Sequence, residues 1–212
     1  MVSTGERVRR AALRLFYAKG FEGTGIRKIA EQAGISVASL YHYVGTKEDL
    51  LEQIMLESMT DLLTPAQALA GTVSDPGERI ADLVALHVQR HAQHRQLCRV
   101  GDTEIRSLSP GRRARVMALR DAYQAIWEEA IASGVEAGEI TVPDVKLATF
   151  ALLQMCTGVA HWYTPRGRLS LDEISAAFVT MARALLSSGA RQDGSPPASG
   201  PPLRLQAGAS AP

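Results

Sequence analysis

Tyr41, His42, Thr46 and Lys47 lie close together within the segment FYAKGFEGTGIRKIAEQAGISVASLYHYVGTKEDLL, which runs from Phe16 to Leu51. A phenol, an imidazole, a hydroxyl and an ammonium group share one chemistry here, because each can hold a phosphate oxygen. Thr46 and Lys47 also open a helix, where free N–H groups and the helix dipole favour the same anion. Just upstream, Ser36, Val37, Ala38 and Ser39 are small and begin a short helix, as a segment that approaches base edges in a groove must.

A second group of chemically capable residues follows. His87 and His91 are one helical turn apart on an apolar face, with His94 near the same side, and two His at that spacing can hold a metal. No Cys or carboxylate completes a ligand set, so they are read as hydrogen-bonded pocket or core residues, and neither a metal nor a cofactor is expected. Cys98 reads as a small buried apolar residue. Arg112, Arg113 and Arg115 crowd the start of a helix opened by Ser109-Pro110, where cations oppose the dipole. An anion, either Glu104 or an acidic effector, would offset them; a solvated basic face is the plainer alternative. Met117, Tyr123, Trp127, Met155 and Trp162 are candidates to line an apolar cavity, although aromatic and Met residues at helical spacing also serve as core.

The elements that must position these groups are helices. Aromatic residues make up 5% of the chain and alternating runs are scarce, whereas three- and four-residue apolar spacing recurs almost throughout. A first helix is predicted over residues 3–19, ended by Gly20, and a second over 26–33. Gly34 supplies the turn, and Ser36 caps a short helix over 37–43. Thr46 with Asp49 forms a capping box for a helix from Lys47 into the 60s, disturbed at its end by Pro65. Further helices are expected from Asp75-Pro76, briefly between Gly101 and Leu108, and from Ser109-Pro110 to about Gly138. A nearly all-round apolar helix follows over 144–163, then a last one from the Ser170/Glu173 capping box to about Leu186. An apolar helix of that kind beside a strongly striped one suggests a subunit interface.

Composition sets outer limits. The 212 residues are 46% hydrophobic and 21% charged, with a net charge of +1, enough for a packed core and no polycation. The first 50 residues are locally basic, with eight Lys/Arg against five acids. Two cysteines imply no disulfide framework and fit a reducing cytoplasm. No signal segment is seen, and the run from Ala148 to Val159 is too short to span a bilayer, so a cytoplasmic protein without membrane contact is expected. Residues 187–212 are rich in Pro, Gly, Ser and Ala and read as a disordered tail.

At Phe16, Gly20, Ile29-Ala30, Gly34, Ser36, Tyr41, Lys47 and Leu50, the first 50 residues resemble the TetR family of bacterial transcriptional repressors. The resemblance implies an all-α protein. Its three-helix helix-turn-helix DNA-binding domain occupies residues 1–50, joined to a helical effector-binding and dimerisation domain at 51–186. It implies a homodimer on a palindromic double-stranded operator, released when a small molecule enters the larger domain. The DNA-binding residues carried over are Thr24, Arg27, Ser36, Val37, Ala38, Ser39, Tyr41, His42, Thr46 and Lys47. The effector-binding candidates are His87, His91, Cys98, Arg112, Arg113, Met117, Tyr123, Trp127, Met155 and Trp162. Tyr43 stands where the family usually has Phe and is expected to pack inward. Gly25 stands where Thr is common, so Thr24 is expected to take over the cap of the second helix. The segment from Cys98 to Arg106, with the Arg-rich helix after it, also resembles members concerned with lipid or steroid breakdown, which implies an acyl-CoA effector. The pattern Trp162-Tyr163, Pro165, Gly167, Leu169-Ser170 resembles the family's dimer-forming end.

Two other classes compete with this reading. One is a helical metal-dependent hydrolase using His87 and His91; the other is a constitutive DNA-binding protein without an effector. No dinucleotide-binding glycine pattern, phosphate-loop lysine or G-x-S-x-G elbow supports an enzyme, and none is expected.

Overall fold

The computed structural model describes residues 3–187, and within them every regular element is helical. The expected tail lies, from residue 188 onward, outside the described residues. In chain order the helices are α1 Thr4–Lys19, α2 Ile26–Ala33, α3 Val37–Tyr41, α4 Lys47–Thr72, α5 Pro76–Gln93, α6 Arg95–Glu104, α7 Pro110–Glu136, α8 Val145–Thr157, α9 Val159–Trp162 and α10 Leu171–Leu186. A 3-10 turn, Ile105–Ser107, links α6 to the approach of α7. No helix among the described residues is long and apolar enough to cross a membrane.

Caps begin the helices where the sequence places them. Ser3, Ser36, Thr46, Asp75, Asp144 and Ser170 each accept a hydrogen bond from the third helical N–H, and both capping boxes are closed. Gly34 ends α2 at φ 70°, ψ 40°, a left-handed conformation that glycine adopts without cost and that turns the chain sharply into α3.

Four expectations need correction. Proline 65 does not end α4, which continues to Thr72: the packing of Leu62, Leu63 and Ala66 outweighs one lost backbone hydrogen bond. The expected short helix near Gly101 begins earlier, at Arg95, with only His94 between it and the end of α5. The single helix predicted over 144–163 is broken at Gly158 into α8 and α9. It is not buried on two sides within one chain either, since Leu147 and Phe150 are exposed. Finally, α3 ends at Tyr41, and Tyr43 is 51% exposed instead of packing inward.

Two apolar clusters hold the chain together. The amino-terminal one gathers Val8, Leu15 and Phe16 of α1, Ile29 of α2, Leu40 of α3 and Leu50, Leu51 and Ile54 of α4. Truncating one such buried leucine or isoleucine to alanine costs about 2–5 kcal/mol. This core does not close at residue 50, because Val100, Leu108 and Val116 belong to it as well. The larger cluster lies between α4, α5, α7, α8 and α10, around Trp127, Leu83, Val84, Ile131 and Leu152. Helices α4 and α7 contribute to both clusters, α7 through Val116 in one and Trp127 in the other, and are their common struts.

Candidate DNA interface and effector cavity

The helix-turn-helix presents its small residues outward. Ser36 and Ala38 are exposed, Val37 and Ser39 half-buried, and Leu40 points into the core. Ser36 Oγ accepts from Ser39 N at 3.0 Å and lies 2.8 Å from Ser39 Oγ, so the start of α3 is braced by its own side chains. Tyr41 is 53% exposed, and His42, Thr46 and Arg27 are exposed too.

Thr24 does not join these exposed residues. It is 2% exposed, and its hydroxyl donates to the Gly20 carbonyl at 2.8 Å. The cap of α2 is the backbone of Gly25, with no side-chain bond, so neither the expected cap nor a phosphate contact falls to Thr24. A buried hydroxyl needs a partner, and the carbonyl that ends α1 is nearest.

Lys47 is held by the fold itself. Its Nζ donates to the Phe21 carbonyl at 2.8 Å and lies 4.0 Å from the Phe21 ring centre. The ammonium is thereby fixed at the α1–α2 corner beside α3. Thr46 N donates to Asp49 Oδ2 at 2.7 Å and Asp49 N to Thr46 Oγ1 at 3.1 Å, which leaves the N–H groups of Lys47 and Glu48 outside the box.

Behind this unit lies a cavity of about 290 Å³. Its walls come from five helices: Met55, Ser58, Met59 and Leu62 of α4; His87 and His91 of α5; Cys98, Gly101 and Asp102 of α6; Val116, Arg120, Tyr123 and Gln124 of α7; Leu153, Gln154 and Thr157 of α8. Three of those walls also touch the amino-terminal unit, α7 through Val116. Helix α4 runs into it directly, and α6 is tied to α1 by Arg99, whose guanidinium donates to Tyr17 Oη at 2.9 Å and sits over its ring.

The two histidines are stacked, with ring centres 3.9 Å apart and an angle of 5° between planes. His87 Nδ1 is 3.0 Å from Tyr123 Oη and its Nε2 is 3.1 Å from Thr157 Oγ1. His91 Nδ1 is 2.9 Å from the His87 carbonyl, which can only accept, so this nitrogen carries the proton. Burial holds His87 well below the usual imidazole range, and the neighbouring His91 adds to the effect. Burial likewise lowers His91 to about 4. Both rings are therefore neutral near pH 7. Parallel rings with three of four nitrogens engaged do not converge on a point, as metal ligands must. Burial pushes the Cys98 thiol up to about 12, well outside the range of a reactive thiolate.

Of the ten effector candidates, His87, His91, Cys98 and Tyr123 line this cavity and six do not. Arg112 is bound by carboxylates of α4: it pairs with Asp49 and with Glu52, whose Oε2 lies 2.5 Å from Arg112 Nη1. Helical phase carries Arg113 and Met117 to exposed positions on the other side of α7. Trp127 is wholly buried in the larger core, edge-on to His87, with its indole N–H unpaired. Met155 packs against that core from outside. Trp162 is 53% exposed and stacks on Phe178 beside Met181.

Sequence reasoning missed Met55, Met59 and Leu62, whose spacing is that of any core stripe. Gln154 and Thr157 carried a signal, since they interrupt an apolar run. Asp102 and Arg120, 3.6 Å apart on neighbouring helices, gave none.

Family comparisons match this architecture. Residues 8–54 match the model of bacterial regulatory proteins of the tetR family, and residues 73–186 match the tetracyclin repressor-like C-terminal domain. The chain belongs to the TetR family. Among TetR relatives, the HTH-type transcriptional repressor KstR2 of Rhodococcus jostii is 24% identical over 172 residues, covering 80% of this chain and 84% of that protein. The fatty acid metabolism regulator protein of Bacillus subtilis is 26% identical over 139 residues, 65% of this chain and 72% of that protein. A TetR-family regulatory protein from Rhodococcus RHA1 superposes with a TM-score of 0.82 at 29% identity, covering 88% of this chain and 98% of the other. The TetR neighbour AibR, solved with isovaleryl coenzyme A and operator DNA, gives a TM-score of 0.77 at 26% identity, over 84% of this chain and 97% of its own.

Proposed function

We propose that this TetR-family chain is a cytoplasmic, homodimeric repressor that leaves a palindromic operator when an apolar or acyl-CoA-type effector occupies the cavity. One observation carries the reading: three of the cavity's five walls, α4, α6 and α7, are also packing partners of the helix-turn-helix unit. A ligand that favours one spacing of those walls shifts the population of one placement of α3.

Operator contact falls to Arg27, Ser36, Val37, Ala38, Ser39, Tyr41, His42, Thr46 and Lys47. The α3 residues meet base edges, and the flanking phenol, imidazole, hydroxyl and cations hold phosphates. Dimerisation falls to α8 and α10 with Trp162, where Leu147, Phe150, Trp162 and Met181 leave large apolar surfaces in solvent. The AibR complex with isovaleryl coenzyme A supports a thioester effector. The cavity lies at the small end of ligand sites, about 300–1,000 Å³. It therefore suits the acyl end of a thioester, with the nucleotide end outside.

The stacked, already hydrogen-bonded His87 and His91 argue against the hydrolase reading. The polar groups left open to the cavity argue against a constitutive binder. Mobility shift on the promoter DNA flanking its own gene, with and without acyl-CoA thioesters, tests the proposal. Specific binding lost on adding a thioester supports it; binding unaffected by every chain length refutes the effector assignment.

A further inference from the structure

Protons around His87 can be counted. A neutral imidazole holds one N–H and one bare nitrogen, while Tyr123 and Thr157 each bring one O–H. The two hydrogen bonds in this chain of groups, Tyr123–His87 and His87–Thr157, use two of those three protons. If Tyr123 donates to Nδ1, then Nε2 donates to Thr157 and the Thr157 O–H is left over. If Thr157 donates instead, the Tyr123 O–H is left over. In either tautomer one hydroxyl proton has no partner in the chain, and both hydroxyl residues line the cavity.

His91 has the opposite surplus. Its Nδ1–H is spent on the His87 carbonyl, so Nε2 is a bare acceptor with no partner among the described residues. The residue is 5% exposed and lines the same cavity. Stacking at 3.9 Å sets this acceptor on the same wall as His87 and its leftover donor. Both groups open onto the cavity, so a ligand or a water that enters it completes them.

We propose that the cavity recognises a hydroxyl group carried on an apolar chain, which donates to His91 Nε2 and accepts the spare O–H of Thr157 or Tyr123. The inference rests on the effector reading above and narrows its ligand class. An ether oxygen can only accept and would leave His91 unsatisfied, so the hydroxyl is a requirement on the apolar chain itself and not on its thioester end. A carboxylate fares worse. Asp102 already faces Arg120 at 3.6 Å, and Arg120 Nη2 also donates to the Gly101 carbonyl at 2.9 Å. Ser58 and Gln154 can each donate and accept, so they tolerate any of these groups.

The test titrates the full chain with hexanol, methyl pentyl ether and hexanoate, following tryptophan fluorescence, since Trp127 stands edge-on to His87. Hexanol should bind about tenfold more tightly than the ether of equal size, the worth of one hydrogen bond to an otherwise unpaired group. His91→Phe should abolish that preference, and His91→Gln, which keeps an acceptor, should retain part of it. Equal affinity for alcohol and ether, tighter binding of hexanoate, or no binding of hexanol overturns the proposal. The comparison in the parent protein decides the matter even where a variant does not fold. Operator release by thioesters is a separate readout, so the alcohol preference can fail while the regulator reading stands, and the reverse.

Discussion

Glu52, in the second turn of α4, is clasped by Arg112 and Arg115 of α7, at 2.5 Å from Arg112 Nη1 and 2.6 Å from Arg115 Nε. Arg112 also meets Asp49, and Ser109 N donates to Glu48 Oε1 at 2.6 Å. The first turns of α7 are thus fastened to the part of α4 that leaves the helix-turn-helix. Glu52 is 6% exposed and would be stranded without these cations. Arg112→Met should lower the unfolding midpoint. It should also shrink the effector-induced change in operator affinity by about fivefold, because the lever loses its tie to the cavity wall. Operator titrations with and without effector check this; an unchanged ratio rejects the coupling role.

Tyr41→Ala and Lys47→Ala should each weaken operator binding by about tenfold while leaving the oligomer intact. For Lys47 the slope of log affinity against log salt should fall by about one, as expected for loss of one phosphate contact. Fluorescence anisotropy across a salt series measures both quantities. Thr24→Val serves as the contrast. Since its hydroxyl is turned to Gly20, the change should alter stability and not the salt slope.

Stability should fall as pH drops from 6.5 towards 4. Both buried histidines are neutral in the fold at pH values where the unfolded chain takes up their protons, so the unfolded state binds more protons and gains. For His91 the drop from 6.5 to about 4 corresponds to about 3 kcal/mol. This contribution is complete above pH 6.5 and lost progressively below it. Urea unfolding at pH 7.5, 6 and 5 should show the trend, and His91→Gln should flatten it.

Phe150→Glu should convert the proposed dimer to monomers and weaken operator binding, since a charge in place of this exposed ring of α8 cannot be desolvated in an apolar interface. Sedimentation velocity decides: a dimer that persists at micromolar concentration removes α8 from the interface.

How much of this was legible beforehand follows from the range of each interaction. Caps act over three residues, so Ser36, Thr46, Asp75 and Ser170 announced their helices directly. Gly34 did the same for the turn. Pro65 misled, because its local cost is outweighed by the burial of Leu62, Leu63 and Ala66 in a distant core. The arginines of α7 misled for a related reason. Their unfavourable place near a helix start suggested an anion, and the anion proved to be the α4 carboxylates, some sixty positions earlier in the chain. The cavity was legible only in part. His87, His91 and Tyr123 were visible as candidates, but the pairing of Asp102 with Arg120 depends on α6 meeting α7, which no local pattern encodes.

Helix α3, Val37–Tyr41, contains no ionisable group other than the phenol at its last position. On the operator reading proposed above, the attraction that a polyanion feels falls to groups outside Val37–Ser39, and those three residues carry the contacts to base edges. Substitutions between Val37 and Ser39 would then retarget the molecule to a new site without loosening its hold. In a lineage of duplicated regulators, the address could drift one methyl or hydroxyl at a time while the grip stayed constant.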